Sequence, residues 1–201
     1  MNREKWEIDQ EWRCTAHAIV KYKPEYYDEK GNYTKDEWGC MGDIGRVYDG
    51  HLLTIDEYLE IEQKYIDAVI RIMDLTGSHF LTISYLGDTV RSTKYSIQQM
   101  LSKKNRFSKY DKLLYNTYMK IIEGKRIYVK DIDSVIRLNL REYTYTGLTN
   151  FKNGLEIHFG YDYYMYCNSK LPTTILQKEV HKAGLYLDPF NQKLNGCNFE
   201  D

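Results

Sequence analysis

Several short patterns in this chain could do chemistry. Cys14 and His17, spaced C-x-x-H, could supply half of a zinc site, because thiolate and imidazole are the ligands that tetrahedral zinc favours. The other half would come from Cys40, Cys167 or Cys197, none of which has a partner at ligand spacing. Gly39, Gly42 and Gly45 form G-x-x-G-x-x-G, which is neither the dinucleotide fingerprint nor a P-loop, since no Gly-Lys-Ser/Thr follows. A G-x-x-G loop can clamp an RNA backbone, but this one lies among carboxylates that repel phosphate, so it reads as a set of tight turns. Glu62-Gln63-Lys64 imitates the E-x-K of metal-dependent nucleases yet falls on a helix and not on a strand. No histidine is placed beside Cys167 to activate it, and no G-x-S-x-G occurs. The acidic residues lack D-x-D or loop spacing for Mg²⁺. The expectation is a protein with no catalytic constellation, no metal and no cofactor.

The elements that would position these residues alternate between strand and helix patterns. "TAHAIVKY" reads as a strand, followed by a polar loop or loose hairpin over "KPEYYDEKGNYTKDE". The clearest element starts at Thr54, where Thr54 and Glu57 form a capping box and Leu53 and Tyr58 stand at staple positions. Ile55, Leu59, Ile66, Val69, Ile70 and Met73 then trace a 3.6-residue stripe that Gly77 closes. "HFLTISYLG" is a strand, and a short helix is expected around Ile97, Met100 and Leu101. Another begins near Ser108 with Leu114, Tyr118, Ile121 and Ile122 inward. Ile136, Leu138 and Leu140 alternate with Arg137, Asn139 and Arg141, which favours a strand. Lys152-Asn153-Gly154 supplies hairpin chemistry, Pro172 opens a last helix that Gly184 stops, and "LYLDP" adds a short strand. This is one α+β domain over residues 1–201, an antiparallel β-sheet with several helices packed against it; residues 1–36 form a less regular strand and loop.

Twenty tyrosines among 201 residues are an anomaly, and "NGLEIHFGYDYYMYCN" concentrates four of them in six positions. Read as one return strand, it places Ile157, Phe159, Tyr161, Tyr163, Met165 and Cys167 on the face toward the helices. Glu156, His158, Gly160, Asp162, Tyr164 and Tyr166 take the other face, which suits water or a partner.

A net charge of −1 hides two lobes. Residues 36–62 carry Asp36, Glu37, Asp43, Asp49, Asp56, Glu57, Glu60 and Glu62 against Arg46 alone. Residues 91–130 carry eleven Lys and Arg against Asp111 and Glu123. The first lobe would attract a basic protein and the second a phosphate backbone. Within the second, Lys103, Lys104, Arg106, Lys109 and Lys112 lie among Phe107, Tyr110 and Tyr115, the makings of a nucleic-acid surface. A sequence pI of about 6.5 speaks for a solvated lysine face instead. No apolar run is long enough to span a bilayer, "MNREKWEIDQEW" is no signal peptide, and the separated cysteines read as reduced thiols. A cytoplasmic protein is expected.

Two stretches carry a family resemblance. "EWGCMGDIGRVYDGHLLTIDEYLEIEQKYIDAVIRIMD" sets a tryptophan before Asp-Ile-Gly, then a glycine turn and Leu-Thr leading into an acidic, tyrosine-bearing helix. "IRLNLREYTYTGLTNFKNGLEIHFGYDYYMYCNS" ends in the Phe-Gly-Tyr-Asp-Tyr-Tyr-Met-Tyr run. Together they resemble bacterial immunity proteins that neutralise ribonuclease toxins of contact-dependent growth inhibition and related polymorphic-toxin systems. The likeness covers about half the chain and leaves out residues 1–36 and the basic middle segment. It implies a non-catalytic inhibitor that binds a cognate toxin's C-terminal domain and covers its active site or RNA-binding surface. Immunity surfaces vary with the toxin, so contact residues come from charge and exposure instead. On that logic the partner-binding candidates are Asp43, Asp49, Asp56, Glu57 and Glu60, with Asp162, Tyr164 and Tyr166 as a second patch. Asp43 and Glu57 also fit scaffold roles, in the turn and in the helix cap. The alternative is a cytosolic RNA- or DNA-binding module using residues 91–130.

Overall fold

The computed structural model of the chain describes residues 16–87 and 108–190, the side chains of 108–112 excepted. The expected helix around Ile97, together with Cys14, Cys197, Lys103, Lys104 and Arg106, lies outside the described residues, as do the side chains of Lys109 and Lys112. Strand β1 (His17–Val20) is followed by a loop with one bridge between Tyr27 and Tyr33. A hairpin of β2 (Val47–Tyr48) and β3 (His51–Leu52) forms a small separate sheet. Then come helix α1 (Ile55–Leu75), β4 (Phe80–Gly87), α2 (Ser108–Tyr118), β5 (Arg126–Tyr128) and α3 (Val129–Leu140). β6 (Tyr145–Asn150), β7 (Leu155–Phe159), β8 (Met165–Ser169), α4 (Thr173–Lys182) and β9 (Tyr186–Leu187) complete the order. Seven strands pair in the order β5-β4-β6-β7-β8-β1-β9, every pair antiparallel. With the four helices of the described residues packed against the sheet, the fold is α+β.

Helix α1 forms where its local signals put it. Thr54 Oγ1 accepts the Glu57 N–H, the Glu57 carboxylate accepts the Thr54 N–H at 2.9 Å, and Gly77 takes φ +67 beyond the last turn. Leu53 and Tyr58 are both buried, as a staple requires. The inward face is broader than the stripe, since Tyr58, Glu62 and Tyr65 are also fully buried. Glu62, counted in the acidic lobe, thus belongs to the interior.

The expected strand around Ile136 is helix α3. Residues 134–140 are buried on every side, so apolar residues recur at both odd and even positions and imitate alternation. Arg137 and Asn139, read as the wet face of a strand, are interior as well. Arg137 Nη1 donates to Glu62 Oε2 at 2.6 Å and its Nε to Asp133 at 2.7 Å, while Arg141 Nε and Nη2 donate to Glu62 at 2.6 and 2.7 Å. Asn139 donates to the Val135 carbonyl, and its Oδ1 accepts the Thr146 N–H. These bonds tie α1, α3 and β6 into one block, which a buried charge requires if it is not to be costly. Ile122 is a smaller correction: α2 ends at Tyr118, and the side chain is 62% exposed.

Candidate functional site

The tyrosine-rich segment is a hairpin, not one strand. β7 ends at Phe159, the Tyr164 N–H bonds back to the Tyr161 carbonyl at 3.0 Å, and β8 begins at Met165. Asp162 and Tyr163 have φ of +53 and +63, the two positive values of a type I′ turn, here without the usual glycine. Burial holds this turn in place. Tyr163 is enclosed by Trp38, Tyr58 and Tyr65, with ring centroids 5.2, 5.9 and 5.5 Å away. The Tyr65 hydroxyl donates to the Tyr163 carbonyl, and the Tyr22 hydroxyl to the Asp162 carbonyl at 2.9 Å.

The turn changes which tyrosines face outward. Ile157, Phe159, Met165 and Cys167 face the helices as expected, and Tyr163 is buried. Tyr161, expected inside, is 64% exposed and lies edge-on to Tyr145 at 5.6 Å. Tyr166, expected at the surface, is buried against Ala16 and Ala18 on the opposite face of the sheet. Tyr164 is half-buried beside it, and burial pushes its phenol well above the ordinary value. The exposed pair is therefore Tyr161 and Asp162. The candidate Tyr166 keeps the face that alternation gives it, beside His158, and is a packing residue because Ala16, Ala18 and Tyr164 cover that face.

The acidic lobe is less uniform than its sequence count. Asp43 is buried: its Oδ2 accepts the N–H groups of Gly39 and Cys40 at 3.0 Å, and Oδ1 meets Arg46 at 2.9 Å. Burial opposes its ionisation, but those hydrogen bonds outweigh it and hold the carboxyl below its usual range. Asp43 thus fixes the 39–46 turn. Glu57 caps α1 and takes His51 Nε2 at 2.5 Å, and the Thr54 bonds, then His51, lower its pKa. Asp49, at the exposed hairpin tip, lies 3.8 Å from Lys35, and Glu60 lies 2.8 Å from Lys64. Glu37 pairs with Lys21 at 3.0 Å. Asp36 and Asp56 are exposed and meet no cation among the described residues.

Asp49, Glu57 and Glu60 line one cleft of about 510 Å³, together with Tyr26, Tyr33, Trp38 and four lysines. Lys21 forms part of its floor with a side chain only 3% exposed, its Nζ lying 4.1 Å from the Trp38 ring and 4.5 Å from Tyr22. Burial lowers its pKa to about 8 against the opposing pull of Glu37, a contact that is an ion pair without hydrogen-bond alignment. The lysines come from outside residues 36–62, which is why a window count overstates the negative charge.

The two predicted patches are neighbours. Trp38 packs on Tyr58 of α1 and on Tyr163 of the turn, and a Cβ on Gly39 would meet Asp162 Oδ1 at 2.7 Å. Among the described residues no group of three His, Cys, Asp or Glu side chains is arranged to hold a metal. Cys167 is fully buried, and burial pushes its thiol up to about 12. No described helix is long and apolar enough to cross a membrane. No protein-family model matches the chain, and no curated protein or solved structure matches it.

Proposed function

We propose that this chain is a non-catalytic, cytoplasmic immunity protein that binds the C-terminal ribonuclease domain of a cognate toxin and covers its active site or RNA-binding surface. The observation that carries this reading is the placement of exposed acids on a rigid frame. Asp56, Glu60, Tyr161 and Asp162 stand outward on α1 and the Tyr161–Tyr164 turn, which the contacts among Trp38, Tyr58 and Tyr163 pack together, and Asp49 stands outward at the hairpin tip. A preorganised acidic and aromatic surface suits a basic nuclease groove, where carboxylates take the place of phosphate and speed encounter.

The test is co-purification with the toxin domain encoded beside this chain, followed by association kinetics at several salt concentrations. Wild type is expected to form a 1:1 complex that suppresses RNA cleavage. Asp56→Lys with Glu60→Lys should slow association about 10-fold at low salt, with a loss of only about 1–2 kcal/mol of stability from the charge reversal in the first turn of α1 and the lost Lys64 pair. Absence of a complex, with RNA retained by this chain in a salt-dependent way, would overturn the reading in favour of nucleic-acid binding through residues 91–130.

A further inference from the structure

Strand β9 lies at one edge of the seven-stranded sheet, beside β1. Tyr186 and Leu187 pair with Val20 and Ile19, and the Asp188 N–H bonds to the Ala18 carbonyl at 2.9 Å. In an antiparallel pair, residues that bond to the partner strand alternate with residues whose backbone groups point away from it. Asp188 and Tyr186 therefore bond inward to β1, and the Leu187 N–H and C=O point out from the edge. No backbone hydrogen bond among the described residues takes up either group.

A groove of about 320 Å³ runs beside this edge, within the size range of ligand clefts. Leu185 and Leu187 line it from the strand, and Thr174, Gln177, Lys178 and His181 line it from α4. Spacings of three and four put those four residues on one helix face, and all four are exposed. The groove thus has an apolar side on the strand and a polar side on the helix.

Its charge has one sign. No carboxylate lines it, and Lys178 makes no ion pair among the described residues. Glu179, the neighbouring acid on α4, is outnumbered. Lys182 lies 2.5 Å from it and Arg71 3.8 Å, and Lys182, with Arg71 and Lys178 behind it, holds its carboxyl below the usual range. Pro24 also lines the groove, and its neighbours Lys23 and Glu25 offset each other.

We propose that the groove between β9 and α4 binds an extended acidic segment of another protein by strand addition. The Leu187 N–H and C=O supply main-chain hydrogen bonds, which give such modes their affinity, and the groove supplies the selectivity. Side chains two residues apart on the added strand share the face turned toward α4. An apolar and an acidic residue at that spacing meet Leu187 and Lys178 together. This mode uses main chain and positive charge, so it does not depend on the immunity reading, which uses the acids of α1 and the hairpin tip.

Fluorescence anisotropy of the full chain with short labelled peptides tests it. Each peptide carries Glu two residues from Val, Leu or Phe in an otherwise Ser/Thr sequence, with both ends capped so that only side-chain carboxylates are present. Binding is expected within this series, and Lys178→Glu should weaken it about 10-fold or more. Lys178 is exposed, so the melting temperature serves as a folding control. An N-methyl group moved along the peptide should abolish binding at alternate amides only, the signature of an added strand. Absence of binding across the series, equal binding of peptides with Lys in place of Glu, or unchanged affinity in Lys178→Glu overturns the proposal. N-methyl groups tolerated at every amide overturn strand addition. Sedimentation of the chain alone covers the other occupant. A dimer that dissociates in Lys178→Glu would make a second copy of this chain the occupant and overturn the choice of a foreign segment.

Discussion

Replacing Glu62 by Gln is the sharpest test of how the interior is held together. Glu62 is fully buried, and its two oxygens accept three charge-assisted hydrogen bonds from Arg137 and Arg141, at 2.6 to 2.7 Å. Both arginine side chains are at most 3% exposed. Arg137 keeps Asp133 as a second carboxylate, so the charge left uncompensated is mainly that of Arg141. Each lost charge-assisted bond is worth about 1.5–3 kcal/mol, but the amide retains one acceptor oxygen, and breaking a buried pair costs about 3–5 kcal/mol. We take about 4 kcal/mol, which for a chain of this length lowers the melting temperature by roughly 8–16 °C. Urea denaturation and calorimetry of wild type and Glu62→Gln measure it directly. A triple change, Glu62→Leu with Arg137→Met and Arg141→Leu, should recover most of the loss, because a buried ion network gains little over well-packed apolar residues. A loss below about 1 kcal/mol for Glu62→Gln would refute the assignment of this carboxylate as the clamp between α1 and α3.

Two further outcomes can be read in the same instruments. Lys21 has a folded pKa of about 8 against an ordinary 10.5, so the unfolded chain binds its proton more tightly. The penalty is full below pH 8 and is relieved as pH rises toward 10.5; relative to Lys21→Met, wild type should gain up to about 3 kcal/mol across that window, and a flat difference would refute the burial argument. Tyr163→Gly relieves a positive φ worth about 1–3 kcal/mol but removes a ring worth about 3–5 kcal/mol, so denaturation should show a net loss of up to about 4 kcal/mol, and a gain would mean that strain dominates.

Legibility followed locality. Helix α1 could be read to within a residue because its capping box, staple and closing glycine are all local signals. The β6–β7 turn was equally plain, since Gly154 takes φ +62 where Asn-Gly chemistry predicts it. Helix α3 was misread because its partners are distant: Arg137 and Asn139 look solvated until Glu62, seventy-five residues before Arg137, is placed beside them. A signal was present in the i, i+4 spacing of Asp133, Arg137 and Arg141, which on a helix brings oppositely charged groups within pairing reach, whereas on a strand the same residues share a face but stand about 13 Å apart. The candidate site divides the same way. The caps and turns that claim Glu57 and Asp43 are local, whereas the lysines that neutralise Glu37, Asp49 and Glu60 arrive from Lys21, Lys35 and Lys64 and change the charge of the surface.

The tyrosine excess is best understood through the turn at Asp162 and Tyr163. Two consecutive non-glycine residues at positive φ cost about 1–3 kcal/mol each, and the turn persists because Trp38, Tyr58 and Tyr65 enclose the Tyr163 ring. Tyr22 and Tyr65 then satisfy the two turn carbonyls, which could not otherwise be withdrawn from water without loss. Phenylalanine would supply the packing but not the donor, so a frame built this way selects tyrosine for its interior as well as its surface. It follows that the side chains exposed at this surface are positioned by residues buried beneath them. Tyr161, Asp162 and Asp56 hang outward from a scaffold whose hydrogen bonds and ring contacts lie beneath them. Tyr161 and Asp56 can therefore change at little cost to the fold, whereas Asp162, at φ +53, can be replaced cheaply only by Asn or Gly.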